Sequence, residues 1–333
     1  MLEKNSLLEL KDKKNLLAFS AGVDSSALFF LLLKHNIKFD IAIVNYNIRE
    51  QSLAELEYAK ELASIHNLKC FVYSAPTIEK NFESSARKIR YDFFEQLIKK
   101  YNYENLLTAH HLGDRFEWML MQFCKGAGCA EIAGMTKISQ RENYNIIRPL
   151  LHLDKKELLV YLKANKLKYF EDESNLDEDI KRNSFRHNYS MPLLDKYLSG
   201  IKKSFDYLDE DRDSLIEQID IKTIDDFAYF KSSQNRRADI FFIDKYLKSQ
   251  LYMMSASERE LLKSDSCVVV GRKFVVSFNN GYIFMIPYST KQIGMPKEFK
   301  EEMRVLKVEP KLRVYLFENE DAFKLIKELF TTV

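Results

Sequence analysis

The sequence lacks the features of a membrane-bound or exported chain. No apolar run approaches the roughly 18 residues that a membrane-spanning helix needs. The opening stretch, MLEKNSLLELKDKK, is polar and helix-like, and no signal-peptide pattern follows it. We therefore expect a cytoplasmic protein with no membrane partner.

Cysteine is scarce and is not arranged for metal or redox chemistry. The four cysteines are Cys70, Cys124, Cys129 and Cys267, and no two of them form a C-x-x-C pair. This spacing does not indicate a zinc ribbon or a redox dithiol. We interpret Cys124 and Cys129 as buried free thiols, which agrees with a reducing compartment.

The composition is that of a globular protein with more than one domain. The chain has 333 residues, of which 46% are hydrophobic and 30% are charged. That length suits two domains. The formal net charge of +2 neither requires nor excludes nucleic acid, because a local basic patch is enough to bind it.

The first half alternates short apolar runs with longer helix-like segments. The apolar runs at residues 15–20, 39–46, 69–73 and 105–109 are nearly continuous, which is typical of strands buried on both faces. This βα alternation predicts an α/β fold with a doubly wound parallel sheet, in which ligands bind at the carboxyl ends of the strands.

The pattern changes after the first half. Asp154 begins an amphipathic helix, and a long helical stretch runs from about residue 187. Residues 267–270, 274–278 and 282–287 read as strands, and an Asn-Gly turn predicts a hairpin between the last two. We therefore expect a first domain at residues 1–190, followed by residues 191–333 as a helical linker and a smaller α+β C-terminal domain.

A loop with the sequence SAGVDSS follows the first apolar run. Small residues let backbone N–H groups approach phosphate oxygens, and the helix behind the loop adds a positive dipole end. A Walker loop would need Gly-Lys-Ser/Thr, which is missing. The alternative is an ordinary strand–turn–helix junction. The candidate nucleotide-binding residues are Ser20, Ala21, Gly22, Val23, Asp24, Ser25 and Ser26.

A second polar motif, TAHHLGDRFEW, begins at the end of the fourth apolar run. Asp114 and Glu117 are three residues apart and share one helix face, with His110 and His111 nearby. Two such carboxylates can hold Mg²⁺ with ATP phosphates or accept a proton from an amine. The alternative is a capped helix start that faces solvent.

Two further motifs carry basic side chains. In ESSARKIRYDFF, Arg87 and Arg90 can meet phosphate or a base, unless the helix is simply an amphipathic surface helix. The segment FEDESNLDEDIKRNSFRHN is unusually dense in polar residues, although an acidic linker is the alternative. Its candidate residues are Asp172, Ser174, Asn175, Arg182, Asn183 and Arg186.

These motifs, in this order, resemble those of the PP-loop ATPases and, among them, the tRNA(Ile)-lysidine synthetases. The resemblance covers about residues 14–190 and includes VNYNIRE, ARKIRY, KGAG and RPLL. The chain departs from the family pattern at Ala21 (glycine in the family), Tyr46 (histidine), Gly113 (aspartate), Arg115 (glutamine) and Trp118 (threonine). Alanine suits the loop provided that position 21 does not need a positive φ.

The resemblance implies a Rossmann-like fold and an ATP- and Mg²⁺-dependent ligase. Free lysine would be joined to carbon 2 of the wobble cytidine in a CAU-anticodon tRNA(Ile), after adenylation of the base. Catalysis would fall to Asp24, Asp114, Glu117 and Arg182, with Asp24 and Asp114 as metal ligands. Arg87, Arg90, His110 and Arg186 would contact substrate or tRNA, and the C-terminal domain would grip the tRNA.

Two other functions remain open from the sequence. A PP-loop tRNA thiolase would need a cysteine pair, which the spacing does not convincingly supply. An inactive tRNA-binding module that kept the fold is a second alternative. The oligomeric state, a homodimer included, is left open by the sequence.

Overall fold

The computed structural model describes residues 1–46, 51–78, 80, 82–171, 181–215, 219–291 and 293–331. The chain divides into two compact units, Met1–Glu210 and Asp211–Val333. In the described residues no helix is long and apolar enough to cross a membrane.

The first unit is built on a six-stranded sheet with the order β3-β2-β1-β4-β6-β5. All neighbouring strands run parallel except β5, which pairs antiparallel with β6. The sheet confirms the predicted α/β fold and its four parallel strands. The strands are β1 (Asn15–Ala18), β2 (Phe39–Asn45), β3 (Cys70–Ser74), β4 (Asn105–Leu107), β5 (Ile138–Gln140) and β6 (Asn145–Ile147).

Helices cover both faces of this sheet, which explains its apolar strands. One core cluster joins α2, α3 and α7 to one face, and a second joins α4 to the other. The helices are α1 (Lys4–Leu10), α2 (Val23–Lys34), α3 (Gln51–Ile65), α4 (Phe82–Tyr101), α5 (Leu112–Phe123), α6 (Cys129–Ala133), α7 (Lys155–Ala164), α8 (Lys181–Phe185) and α9 (Met191–Leu215); a π-helical turn, Arg186–Ser190, precedes α9.

The short hairpin of β5 and β6 was not expected from the sequence. Each of its strands has only three residues, and β5 is largely exposed. Such strands carry too little periodic pattern to be recognised. β6 nevertheless matters, because it extends the parallel sheet and places the residue after it, Arg148, beside the end of β4.

Helix α9 begins in the first unit, within the residues 191–333 that were expected to form a helical linker and the C-terminal domain. Leu194 and Phe205 of α9 pack with Leu112 and Phe116 of α5 in a small apolar cluster. Side chains as far along as position 208 join that packing. This contact explains why the first compact unit extends to Glu210.

The second unit is a five-stranded antiparallel sheet with the order β7-β8-β11-β10-β9. Apolar clusters lie on both of its faces, one shared with α10 and α11 and the other with α12, α13 and α14. Its elements are β7 (Lys222–Ile224), β8 (Phe227–Lys231), α10 (Arg236–Ser249), α11 (Ala256–Ser264), β9 (Cys267–Val270), β10 (Phe274–Asn279), β11 (Tyr282–Pro287), α12 (Lys297–Val305), α13 (Pro310–Glu318) and α14 (Glu320–Thr331).

The predicted hairpin in the second unit is confirmed. Asn280 and Gly281 join β10 to β11 and have φ values of 47° and 76°. Two successive positive φ values are what a two-residue turn between twisted strands requires. All four cysteines are free, but the expected burial is wrong: Cys124, at the C-terminal end of α5, is exposed, and Cys129 is only half-buried.

Candidate active site

The SAGVDSS loop leaves β1 through a left-handed residue. Ala21 has a φ of 60° and is fully buried. A left-handed conformation costs an alanine about 1 kcal/mol or more, a cost that glycine avoids. The position occupied by glycine in the family pattern therefore does require a positive φ, and here an alanine adopts it.

Hydroxyl groups fasten this loop internally. The Ser26 hydroxyl donates to the carbonyl oxygen of Ala21 at 3.1 Å, and the backbone N–H of Ser20 donates to Ser25 Oγ at 3.2 Å. No side chain among the described residues caps the start of α2, whose N-cap is Gly22. The first N–H groups of α2 are thus available to an anion such as phosphate.

Asp24 lies in the first turn of α2 with one oxygen unpartnered. Its Oδ1 is buried and has no hydrogen-bond partner in the described part of the chain. Its Oδ2 lies 3.8 Å from Nε2 of His111. Burial raises the pKa of Asp24, although the nearby His111 and Lys155 oppose that shift. A buried oxygen of this kind is suited to a cation or a hydrogen-bond donor from a ligand.

The start of α5 is fixed by His111. The ring Nδ1 accepts a hydrogen bond from the backbone N–H of Gly113 at 3.0 Å, and the backbone N–H of His111 donates to Asp114 Oδ2 at 3.1 Å. A neutral ring that accepts at Nδ1 carries its proton on Nε2. That Nε2 faces both Asp24 and Asp114, the latter at 3.6 Å. His111 therefore lies between the SAGVDSS loop and α5.

Gly113 permits this arrangement. A Cβ atom on Gly113 would lie 2.7 Å from Cε1 of the His111 ring. The aspartate that the family pattern has at this position would therefore displace the ring in its present orientation. Gly113 therefore lacks the carboxylate of the family pattern but leaves room for the His111 ring to cap α5.

Two carboxylates and two guanidinium groups form a closed cluster next to this helix start. Nε of Arg182 donates to Glu117, and Nε of Arg186 donates to the other Glu117 oxygen at 2.9 Å. Both arginines also reach Asp114 Oδ1 through Nη2, at 3.2 Å from Arg182 and 3.3 Å from Arg186. The structure thus brings together four residues that the sequence singled out, from two motifs far apart in the chain.

The cluster sets the charge state of Asp114. Burial alone would raise the pKa of its carboxyl, but the neighbouring histidines and the guanidinium groups of Arg182 and Arg186 outweigh burial and hold the pKa well below its usual range. Asp114 is therefore an anion at neutral pH and a poor proton acceptor. It is suited to binding a cation.

His110 and the arginines of α4 lie to one side of the cluster. The His110 ring is 2.9 Å from Thr108 Oγ1, and burial lowers the pKa of His110 to about 4, so the imidazole is neutral at pH 7. Arg87 is exposed, lies 4.8 Å from the centre of the Tyr91 ring, and is close enough to His110 to affect its pKa. Arg90 is exposed near Tyr46.

Magnesium fits this site only with help from phosphate. Among the described residues no three His, Cys, Asp or Glu side chains gather closely enough to hold a metal ion. Mg²⁺ usually takes one or two carboxylates and completes its shell with phosphate and water oxygens. The unpartnered Oδ1 of Asp24, at the start of α2, meets that requirement.

Other departures from the family pattern have structural roles. Tyr46 donates from its hydroxyl to the carbonyl oxygen of Ala86 at 2.9 Å, which ties the end of β2 to α4. Arg115 is buried and forms a two-pronged ion pair with Asp209 of α9 at 2.6 and 3.0 Å. Trp118 is 45% exposed beside the site. Asp172, Ser174 and Asn175 lie outside the described residues.

Two residues near the site were given no role from the sequence. Lys155 begins α7 and lies close to Asp24, and Arg148, the first residue of RPLL, follows β6 within range of His110. A lysine after a helix cap and an arginine before a proline are too common to be noticed alone. Only the adjacency of β1, β4 and β6 in the sheet brings them to one place.

Comparisons with known proteins agree with this geometry. A family model of the PP-loop domain matches residues 2–193. The chain is 43% identical to a tRNA(Ile)-lysidine synthase of Helicobacter pylori strain 26695, over 94% of this chain and 92% of that one. It is 44% identical to a tRNA(Ile)-lysidine synthase of Wolinella succinogenes, over 92% of this chain and 94% of that one.

A solved structure supports the fold alone. The U34-tRNA thiolase of Methanococcus maripaludis, solved with its [4Fe-4S] cluster, superposes with a TM-score of 0.51 at 15% identity, over 62% of this chain and 77% of that one. At this identity only the architecture is shared. The family match and the two close relatives show that the chain belongs to the PP-loop ATP-binding proteins and, among them, to the tRNA(Ile)-lysidine synthase family.

Proposed function

We propose that the chain ligates free lysine to carbon 2 of the wobble cytidine in a CAU-anticodon tRNA(Ile), through an adenylated tRNA intermediate, with release of AMP and pyrophosphate. The names of the close relatives support lysidine formation in tRNA. The observation that carries the proposal is the cluster of Asp114, Glu117, Arg182 and Arg186 beside the open start of α2.

ATP would bind with its phosphates at the SAGVDSS loop. The uncapped N–H groups of α2 and the positive end of the helix favour phosphate there. Asp24 would hold Mg²⁺ through its free Oδ1, with Asp114 as a second candidate ligand. When bound, the ion neutralises charge on the phosphates.

The first chemical step would make the base reactive. The cytosine O2 attacks the α-phosphorus of ATP, the bond between the α-phosphorus and the bridging oxygen breaks, and pyrophosphate leaves. Arg182 and Arg186, held by the two carboxylates, would present positive charge to the phosphate oxygens as charge develops. The oxygen on carbon 2 becomes a good leaving group only after this step.

In the second step the ε-amine of lysine would attack carbon 2, and AMP would leave with the former O2. A free lysine side chain has a pKa near 10.4, so it arrives as an ammonium and must release a proton to water before it attacks. The anionic Asp114 is suited to holding that ammonium, and Glu117 keeps both arginines in place. The neutral His110 stands next to them.

The RNA would be bound by basic side chains at the rim of the site and by the second unit. Arg87 and Arg90 of α4 are exposed, and Arg186 is partly exposed. An anticodon loop can present an unstacked base without opening a duplex. Residues 1–190 would carry out the chemistry, and the C-terminal domain within residues 191–333 would bind the tRNA in the cytoplasm.

Lysine transfer measured with the full-length chain tests the proposal. Radiolabelled lysine should enter a CAU-anticodon tRNA(Ile) transcript only with ATP and Mg²⁺, with one AMP formed per lysine. Asp24→Ala and Asp114→Ala should abolish transfer and leave the far-ultraviolet circular dichroism spectrum unchanged. Sulfur incorporation instead of lysine would indicate a thiolase, and RNA binding without AMP formation would indicate an inactive binding module.

A further inference from the structure

Arg148 is a buried guanidinium with nothing to balance its charge. It is 8% exposed, and among the described residues it pairs with no carboxylate. The ionisable neighbours that act on it are Tyr91, Arg141 and Arg87; Tyr91 favours the charged guanidinium, whereas the two arginines oppose it. Burying an unpaired charge is costly, so a residue in this setting is better explained by a ligand than by stability.

The orientation of this guanidinium is fixed from one side. Nη1 donates to the carbonyl oxygen of Thr136 and to Ser139 Oγ, both at 2.8 Å. Neither Nε nor Nη2 donates to any of the described residues, and Nε is fully buried. Nε and Nη2 form the edge through which an arginine binds both oxygens of a phosphate or carboxylate. That edge of Arg148 is therefore fixed in orientation but makes no hydrogen bond to the described residues.

The surroundings of this edge favour an anion. Arg87 and Arg148 both lie close enough to His110 to lower its pKa, so all three side chains share one region. The Arg87 guanidinium is steadied by the Tyr91 ring, 4.8 Å from its centre. His110 itself is neutral at pH 7, so the positive charge of this region comes from the guanidinium groups.

The place of Arg148 in the sheet separates it from the ATP phosphates. The SAGVDSS loop follows β1, His110 lies just beyond β4, and Arg148 follows β6; these strands are neighbours in that order. Two strand spacings put Arg148 about 10 Å from the loop. A phosphate bound by Arg148 would therefore differ from the ATP phosphates at the SAGVDSS loop. It would lie next to the reacting centre and would not take part in the reaction.

We propose that the Nε–Nη2 edge of Arg148, together with Arg87, binds a backbone phosphate of the RNA beside the nucleotide whose base is modified. This rests on the proposed function, since it assumes an RNA substrate. Arg148 is a positioning residue in this role: it fixes the nucleotide while the chemistry takes place at the end of β1 and the start of α5.

The test compares full-length variants in binding to a fluorescent CAU anticodon stem-loop RNA and, separately, to ATP. Arg148→Lys keeps the charge but loses the two-pronged edge, and it should weaken RNA binding roughly ten-fold or more. Arg87→Ala should lower the slope of log affinity against log salt by about 0.7. Lys99→Ala, which removes an exposed charge near the far end of α4, should change neither quantity. ATP affinity should stay within two-fold of the wild type throughout.

A methylphosphonate scan identifies the contact. One phosphate at a time in the loop is replaced by a neutral methylphosphonate, and one position should weaken binding to the wild type much more than to Arg148→Lys. If every position has the same effect in both proteins, or if ATP binding falls instead of RNA binding, the proposal is wrong. If Arg148→Lys does not fold, the same comparison with the surface variant Arg87→Ala decides.

The failure of this inference can be told apart from failure of the proposed function. A wild-type protein that transfers lysine to tRNA but shows no coupling between Arg148 or Arg87 and any phosphate overturns only the phosphate contact. A wild-type protein that neither binds the stem-loop nor transfers lysine overturns both.

Discussion

Glu117 accepts a hydrogen bond at 2.9 Å from Nε of Arg186, which lies 69 residues further along the chain. The carboxylate is 1% exposed, and its other oxygen is held by Nε of Arg182. The contact fixes the RNSFR segment against α5. Both the stability of the first unit and its proposed chemistry therefore depend on Glu117.

Glu117→Gln should therefore lower both stability and activity. The amide keeps the shape of the side chain, but its NH₂ group would face a guanidinium that can only donate. We expect a loss of about 2 kcal/mol in the free energy of unfolding and of at least ten-fold in the rate of AMP formation. Urea unfolding and a single-turnover assay measure the two effects.

Glu61→Gln on α3 is the matched control, since Glu61 is exposed. It should leave both values unchanged. If Glu117→Gln behaved like Glu61→Gln, the cluster would not hold the segment in solution.

Gly113→Ala should disturb the start of α5 without changing any charge. Its new Cβ would meet the His111 ring at 2.7 Å, so the ring must turn and give up the hydrogen bond from Gly113 N–H. Loss of such a cap costs about 1 kcal/mol. We expect a lower melting temperature and slower lysine transfer for Gly113→Ala, and the same for Gly113→Asp.

Gly200→Ala provides the contrast. Gly200 lies within α9 and a Cβ there would meet nothing within 4 Å, so alanine should stabilise the chain by about 0.5–1 kcal/mol. If Gly113→Asp were harmful while Gly113→Ala was not, charge rather than the position of His111 would be the cause.

The sequence predicted the sheet well because its strands are apolar and its motifs stand at strand ends. The parallel strands, the helices between them and the hairpin of β10 and β11 all follow from short-range pattern. The hairpin of β5 and β6 was missed, since its strands have three residues each and β5 is largely exposed and carries no apolar run. The helices α12 to α14 were not predicted individually, since the C-terminal sequence indicated only a mixed α+β domain.

The site was predictable in its members but not in its connections. Asp114, Glu117, Arg182 and Arg186 were chosen from motifs, and their mutual ion pairs depend on how α8 and the π-helical turn pack on α5. Arg148 illustrates what remained hidden. Its isolation from carboxylates is a property of the folded surroundings, and no pattern in RPLL reveals it.

Ala21→Gly should leave stability nearly unchanged. Glycine relieves the strain of a φ of 60°, worth about 1–2 kcal/mol, but it removes a buried methyl group worth about 0.8 kcal/mol and adds freedom to the unfolded chain. Ala21→Val should destabilise by about 2 kcal/mol or more, because a β-branched residue resists that conformation. Chemical unfolding measures both.

Ala27→Gly is the control for the loop position. Ala27 is also fully buried but lies inside α2, so glycine there loses the methyl group and helix propensity with no strain to relieve. It should destabilise by more than Ala21→Gly. Equal losses at the two positions would mean that the left-handed conformation of Ala21 carries no strain.

Asp24→Asn should stabilise the protein at neutral pH while abolishing lysine transfer. Burial raises the pKa of Asp24 above the unfolded value of about 3.9, so the folded state binds more protons than the unfolded state between the two values. Stability conferred by this group therefore falls as pH rises through that window, and at pH 7 the ionised carboxylate imposes its full cost. An asparagine does not ionise and avoids this cost.

Melting curves taken with a chelator, so that no Mg²⁺ is bound, should show a higher melting temperature for Asp24→Asn at pH 7. The difference should shrink as pH approaches 4, whereas Asp92→Asn, at an exposed position of α4, should match the wild type at every pH. If Asp24→Asn were less stable than the wild type at pH 7, the carboxylate would stabilise the fold, and ligand binding would not be needed to explain its unpartnered Oδ1.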